Sequence, residues 1–225
     1  MAGFSSISTG WTATLVELEA ILAMCRRHGT WLIADEVYSR LTYDPEAIAA
    51  PSLLDVARPD DRVIVVNSFS KTWVMTGWRL GWLVVPDGVR DAITEIVETT
   101  HSGVAPFIQQ AGLAAIADHE TPAGFRVHCE TGRALATAAL SGLNGIRYAA
   151  PDGAFYAFLG VDGLRDSLQL ARNLVTGHGV AVAPGIAFGP AGEGCLRVCF
   201  AQSPTRLNRA LDRLQTGLRA AVAGA

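Results

Sequence analysis

Ser68-Phe69-Ser70-Lys71, followed by Gly77-Trp78-Arg79-Leu80-Gly81-Trp82, gathers two hydroxyls, an amine and a guanidinium in one short stretch. A lysine amine attacks a carbonyl carbon to form a Schiff base. Hydroxyls and a guanidinium together hold a dianionic phosphate through charge-assisted hydrogen bonds. Lys71 is the only lysine of the chain, beside 17 arginines. Solvation of a loop does not explain that singularity. Upstream, Asp35-Glu36-Val37-Tyr38 offers a carboxylate and a phenol. Downstream, Arg197 alternates with apolar neighbours in Leu196-Arg197-Val198, so on a strand it points away from their face.

The elements that must position these groups are legible from the pattern. Val63–Val66 and Trp31–Ala34 read as buried strands, each ending just before a reactive cluster. In open α/β sheets ligands bind beyond the C-terminal strand ends, which is where Asp35, Tyr38 and Lys71 fall. The spacing predicts a helix over 12–28, strands over 31–34, 62–67 and 79–85, and helices over 87–99, 106–117 and 120–140. Pro45, Pro51 and Pro59 mark 39–60 as loop. Beyond Gly142 the texture changes to short strands at 146–149, 154–159, 180–183 and 195–200, alternating with helices at 164–178 and 203–222. The fold class is therefore α/β. A mostly parallel sheet with helices occupies 1–120, and a small α+β domain occupies 121–225.

The bulk numbers exclude several classes. Half of the residues are hydrophobic and 17% are charged, so the chain is globular. A net charge of −3 without a basic run argues against nucleic acid. No run of about 18 apolar residues is present, so no membrane span is expected. Residues 1–10 lack a basic and an apolar segment, so no signal peptide is expected. Cys25, Cys129, Cys195 and Cys199 form no CxxC pair, and 195 and 199 on one strand lie about 13 Å apart, too far to bridge. Reduced thiols and a cytoplasmic location follow as expectations. The five histidines show no metal spacing, so no metal site is expected.

In order and spacing, Ile33-Ala34-Asp35-Glu36-Val37-Tyr38, Asn67-Ser68-Phe69-Ser70-Lys71, Gly77-Trp78-Arg79-Leu80-Gly81-Trp82, Pro151-Asp152-Gly153-Ala154-Phe155-Tyr156 and Gly192-Glu193-Gly194-Cys195-Leu196-Arg197-Val198 resemble the C-terminal part of a fold-type-I, class I/II aminotransferase dependent on pyridoxal 5′-phosphate (PLP). The resemblance covers nearly all 225 residues. It implies that Lys71 forms the Schiff base and then serves as the base at the substrate Cα. Asp35 is implied to pair with the pyridine nitrogen and keep it protonated, so that the ring accepts electrons. Tyr38 resembles the tyrosine that bonds the cofactor's phenolic oxygen. Ser68 and Arg79, with Ser70 assisting, resemble the phosphate ligands. Arg197 resembles the arginine that grips the substrate carboxylate bidentately. Phe155 and Tyr156 line the substrate pocket or pack in the core. The implied substrates are an amino acid and a 2-oxo acid.

The pattern departs from the family at its start. Ile7-Ser8-Thr9-Gly10 stands where the family reads Asn-Pro-Thr-Gly, and the Gly-rich phosphate turn and ring-stacking aromatic that come earlier in the family are absent. The chain is expected to be a truncated form of a longer protein, a homodimer once an N-terminal half completes it. An incomplete sheet is expected to expose an apolar face. Two alternatives stay open within the same fold: a non-catalytic remnant, and a PLP-dependent lyase. A third takes Ser68-x-x-Lys71 as a serine acylase pair, but a single lysine leaves no later Lys-Thr-Gly.

Overall fold

The computed structural model describes residues 2–4 and 9–223. The chain forms two compact units, one built on Thr12–Arg126 and the other on Val127–Ala225; residues 2–4 join the first and residues 9–11 the second. The division between the units falls at 126/127, inside a helix.

The first unit carries a four-stranded sheet in the order β1 (Ala2–Phe4), β2 (Leu32–Asp35), β3 (Val63–Ser68), β4 (Gly81–Val84). The β1–β2 and β2–β3 pairs are parallel, and β4 runs antiparallel to β3. Helix α1 (Leu15–His28) begins after Thr14, three residues later than its apolar period suggests. Thr14 Oγ accepts from Glu17 N while Glu17 accepts from Thr14 N at 2.8 Å, a reciprocal cap that fixes the start. Leu18, Leu22 and Cys25 then face Leu32, Ala34, Val63 and Val65 in one buried cluster. Alternate residues of β2 and β3 are buried, so one face of each strand supplies this core.

Lys71 lies in a one-turn helix, α2 (Phe69–Thr72), that starts directly from β3. A short 3₁₀ turn (Thr76–Trp78) then leads to β4. The strand approaches β3 so closely at Gly81 that a Cβ there would sit 2.6 Å from the Asn67 carbonyl oxygen. Beneath α2, Phe69, Trp73 and Leu80 form a second cluster, with Trp82 packed against it. Helix α3 (Asp87–His101) buries no residue, and α4 (Pro106–Ala117) buries only Gly112. Phe107, Leu113 and Ile116 are 71%, 63% and 51% exposed.

Helix α5 (Glu120–Leu140) crosses the division between the units. The second unit holds a sheet in the order β5 (Ile146–Tyr148), β6 (Tyr156–Val161), β8 (Cys195–Cys199), β7 (Ala183–Pro184), antiparallel throughout. Strand β7 has two residues instead of the four expected, because Pro184 removes a donor and a 3₁₀ turn follows at once. Helices α6 (Ser167–His178) and α7 (Pro204–Ala223) join this sheet to form the unit's core, with Leu174, Leu196, Leu207 and Leu214 almost wholly buried. Glu193 ties the loop before β8 to the start of α6, accepting from Ser167 N at 2.7 Å and from Gly194 N at 2.8 Å.

Candidate active site

The parallel strands β2 and β3 end side by side, with Asp35 paired in register to Val66 and Glu36 N donating to the Val66 carbonyl. Everything beyond those ends is therefore brought together by the sheet. Asp35 is half-buried, and one of its carboxylate oxygens accepts from Val37 N at 3.3 Å. The turn that follows buries Tyr38. On β3 the chain continues through Ser68 into α2, and Lys71 Nζ lies 5.8 Å from the centre of the Tyr38 ring. The amine, the phenol and the carboxylate thus belong to one strand-end cluster.

Two hydroxyls complete that edge. Ser68 Oγ accepts from Ser70 N at 3.0 Å, and the two serine hydroxyls are 2.9 Å apart. Ser68 Oγ also lies 3.1 Å from the Leu80 carbonyl oxygen, which accepts from Phe69 N. These bonds carry Arg79, the neighbour of Leu80, back to the serines. Arg79 has a left-handed backbone (φ 53°) and an exposed side chain that donates to the Thr76 carbonyl at 2.9 Å. Val74, three residues past Lys71, has φ 57°, a costly conformation for a β-branched residue. Ser68 is engaged by Ser70 and Leu80 and not by Lys71, so the serine–lysine nucleophile pair is not formed.

Arg197 lies in the second unit, on β8, with Leu196 and Val198 buried on the opposite face. Its guanidinium carbon sits 4.1 Å from the ring centres of both Tyr156 and Phe188. The rings hold the side chain by stacking and cation–π attraction. Phe155 is 8% exposed and packs in the core, whereas Tyr156 is part of the arginine clamp. Phe188 escaped the sequence reading, because the turn that presents it is recruited only by the folded sheet.

Glu36 also went unassigned. Its carboxylate accepts from Ser52 Oγ and Leu53 N, each at 2.8 Å, and so fastens the loop behind Asp35. Burial raises its pKa, against the opposing effect of these two hydrogen bonds. A charged residue directly after a buried strand was the available signal. Ile7 and Ser8, where the sequence departs from the family motif, lie outside the described residues. No group of three or more His, Cys, Asp or Glu able to hold a metal occurs among the described residues. No helix among them is long and apolar enough to cross a membrane.

The family model described as Aminotransferase class I and II matches residues 8–214. The chain belongs to that family. It is similar to the aspartate aminotransferase of Thermotoga maritima, 34% identical over 198 residues, covering 88% of this chain and 50% of that protein. The arginine–pyruvate transaminase AruH of Pseudomonas aeruginosa is 33% identical over 201 residues, covering 87% and 50%. The crystal structure of the Thermotoga maritima aspartate aminotransferase superposes with a TM-score of 0.87 at 31% identity, covering 96% of this chain and 55% of that one. The aromatic aminotransferase of Pyrococcus horikoshii gives a TM-score of 0.86 at 31% identity, covering 95% and 58%. The chain spans about half the length of the relatives it matches. Class I and II aminotransferases depend on PLP, act on amino acids and 2-oxo acids, and are generally dimeric.

Proposed function

We propose that this protein is a PLP-dependent aminotransferase that exchanges an amino group between an amino acid and a 2-oxo acid, with Lys71 as the reacting amine. The observation that carries the reading is the position of the chain's only lysine, one helical turn beyond β3, within reach of Tyr38 and beside the end of the strand that carries Asp35.

The chemistry of the donor set fits PLP group by group. Two adjacent hydroxyls and a nearby guanidinium suit a dianionic phosphate. A carboxylate suits a protonated pyridine nitrogen, a phenol suits a phenolic oxygen, and an amine suits an aldehyde. When bound, PLP supplies an electron sink for cleavage at the substrate Cα. Asp35 holds a proton on the ring nitrogen by its negative charge. Tyr38 donates to or accepts from the ring oxygen beside the reacting carbon. Ser68, Ser70 and Arg79 anchor the phosphate end. Lys71 would bind the aldehyde and would serve as the base at the substrate Cα. Arg197 holds the substrate carboxylate in a bidentate grip, its plane already fixed by Tyr156 and Phe188. The substrate pair, a homodimeric assembly and a cytoplasmic setting belong to the same proposal; four free thiols suit a reducing compartment.

The test is covalent. Reduction of the PLP-loaded protein with borohydride, followed by peptide mass spectrometry, is expected to leave a pyridoxyl group on Lys71. An adduct confined to the terminal amine would overturn the assignment.

A further inference from the structure

The second unit has a groove of about 330 Å³ on the side of α7, bounded by the end of β8 and the turn after α6. Arg206, Arg209 and Arg213 line it together with Gln202 and Cys199, and no carboxylate does. The three arginines follow at helical spacing, so they share one face of α7 and span about 10 Å at about 1.5 Å per residue. Arg213 is anchored: its guanidinium donates to the Gly179 carbonyl at 3.2 Å, across from the left-handed cap of α6. Arg206 and Arg209 are exposed and have no ion-pair partner among the described residues.

That arrangement is uncompensated. Like charges one turn apart repel. Arg206 also stands in the first turn of α7, at the positive end of the helix dipole, where a cation is disfavoured and an anion favoured. The one carboxylate of α7, Asp212, does not line the groove. Three arginines elsewhere, Arg26, Arg90 and Arg147, each meet an aspartate. The groove is also the right size for a compact ligand, near the lower end of small-molecule sites at roughly 300 Å³.

We infer that this groove is a binding site for a small polyanion carrying two or more phosphate or carboxylate groups, separate from the Lys71 cluster. Arg206 and Arg209 supply bidentate grips, Gln202 supplies a neutral amide, and Arg213 closes the far end. Cys199 is the reporter, because an exposed thiol in the groove wall loses access when the groove fills.

Calorimetric titration of the full chain with pyrophosphate, citrate and AMP tests this, with each arm repeated at raised salt. Saturable, salt-sensitive binding of pyrophosphate or citrate is expected, and the preferred arm separates a phosphate source from a carboxylate one. Arg206→Gln combined with Arg209→Gln, at two exposed positions, is expected to raise Kd by about tenfold or more. Arg79→Gln, which alters the phosphate-binding candidates of the strand-end cluster, is expected to leave this binding intact. Bound ligand is expected to slow alkylation of Cys199, followed by peptide mass spectrometry, without slowing that of Cys195. Absence of saturable binding, indifference to the double substitution, or loss in Arg79→Gln would each overturn the inference. So would binding of a polyglutamate peptide without binding of any small anion, which would make the groove a contact for an acidic protein.

Discussion

Arg197 shows how a side chain's neighbours define its work. With its guanidinium carbon 4.1 Å from the ring centres of both Tyr156 and Phe188, the Arg197 side chain is held before any ligand arrives, so little rotamer freedom remains to be lost on binding. Lysine keeps the charge but neither stacks nor forks. Arg197→Lys is therefore expected to raise KM for amino acids by about tenfold or more, with amines lacking the carboxylate unaffected, in steady-state assays of the active enzyme. Asp35→Asn is expected to act on kcat, lowering it by roughly a hundredfold or more while PLP absorbance still titrates. Normal turnover in that variant would remove Asp35 from the mechanism. Lys71, Asp35 and Arg197 were legible because each is a polar group at an abrupt end or alternation in an apolar strand. Phe188 and Glu36 were not. Their roles depend on partners far away in the chain: Phe188 meets Arg197 across a turn, and Glu36 meets Ser52 and Leu53.

Two carboxylates at the edges of elements respond to pH with opposite sign. Asp61 joins the loop before β3 to α1, accepting from Arg26 at 2.7 Å, and that hydrogen bond holds its pKa below the ordinary carboxylate value. A lowered folded pKa means stability that is present above the unfolded pKa and lost as pH falls through the folded one. Asp61→Asn is expected to cost roughly 1–2 kcal/mol at neutral pH, with the gap to wild type closing in acid, by urea denaturation. Glu36 is the reverse case. Burial raises its pKa, so its contribution is fullest in acid and falls as pH rises through the folded value. Glu36→Gln is expected to flatten that decline in the same assay. A third test concerns the seam between β3 and β4. Gly81→Ala would place a methyl 2.6 Å from the Asn67 oxygen, and a loss of about 1–3 kcal/mol is expected. Most helices and strands were legible because apolar period survives burial on one face; β1 was not expected, and β7 is shorter than expected. What the period does not carry is the cap that starts α1 late, the one-turn helix under Lys71, or the left-handed backbone at Val74 and Arg79.

On the scale of the whole molecule, charge and apolar surface pull in different directions. A net charge of −3 keeps like molecules only weakly apart. Meanwhile Phe107, Leu113 and Ile116 on α4 stand in solvent together with Ile96 on α3 and Leu83 on β4. A helix that is apolar on every side is ordinarily a buried one. The chain on its own is therefore expected to self-associate and to bind ANS. Replacing Phe107 and Leu113 by Gln is expected to lower both signals, by light scattering and by dye fluorescence, without lowering the thermal midpoint. The texture of the sequence changes beyond α5, while that continuous 21-residue helix carries no break where the packing partners change.

The aromatic cluster under α2 has an optical consequence. Trp73 and Trp82 are held with ring centres 6.3 Å apart and planes inclined at 62°, and Phe69 lies within 5.2 Å of both. Two indoles fixed at such a separation and tilt couple their electronic transitions, and a fixed tilt makes the coupling chiral. The first unit therefore writes its own near-ultraviolet circular dichroism band, which reads the seating of α2 against β4 without any assay of turnover. Lys71 sits on the same one-turn helix, between Phe69 and Trp73. A chromophore attached to that amine whose absorption overlaps indole emission will drain Trp73 by resonance transfer. The Trp73 share of the emission from five tryptophans thus falls with the fraction of chains whose Lys71 is occupied.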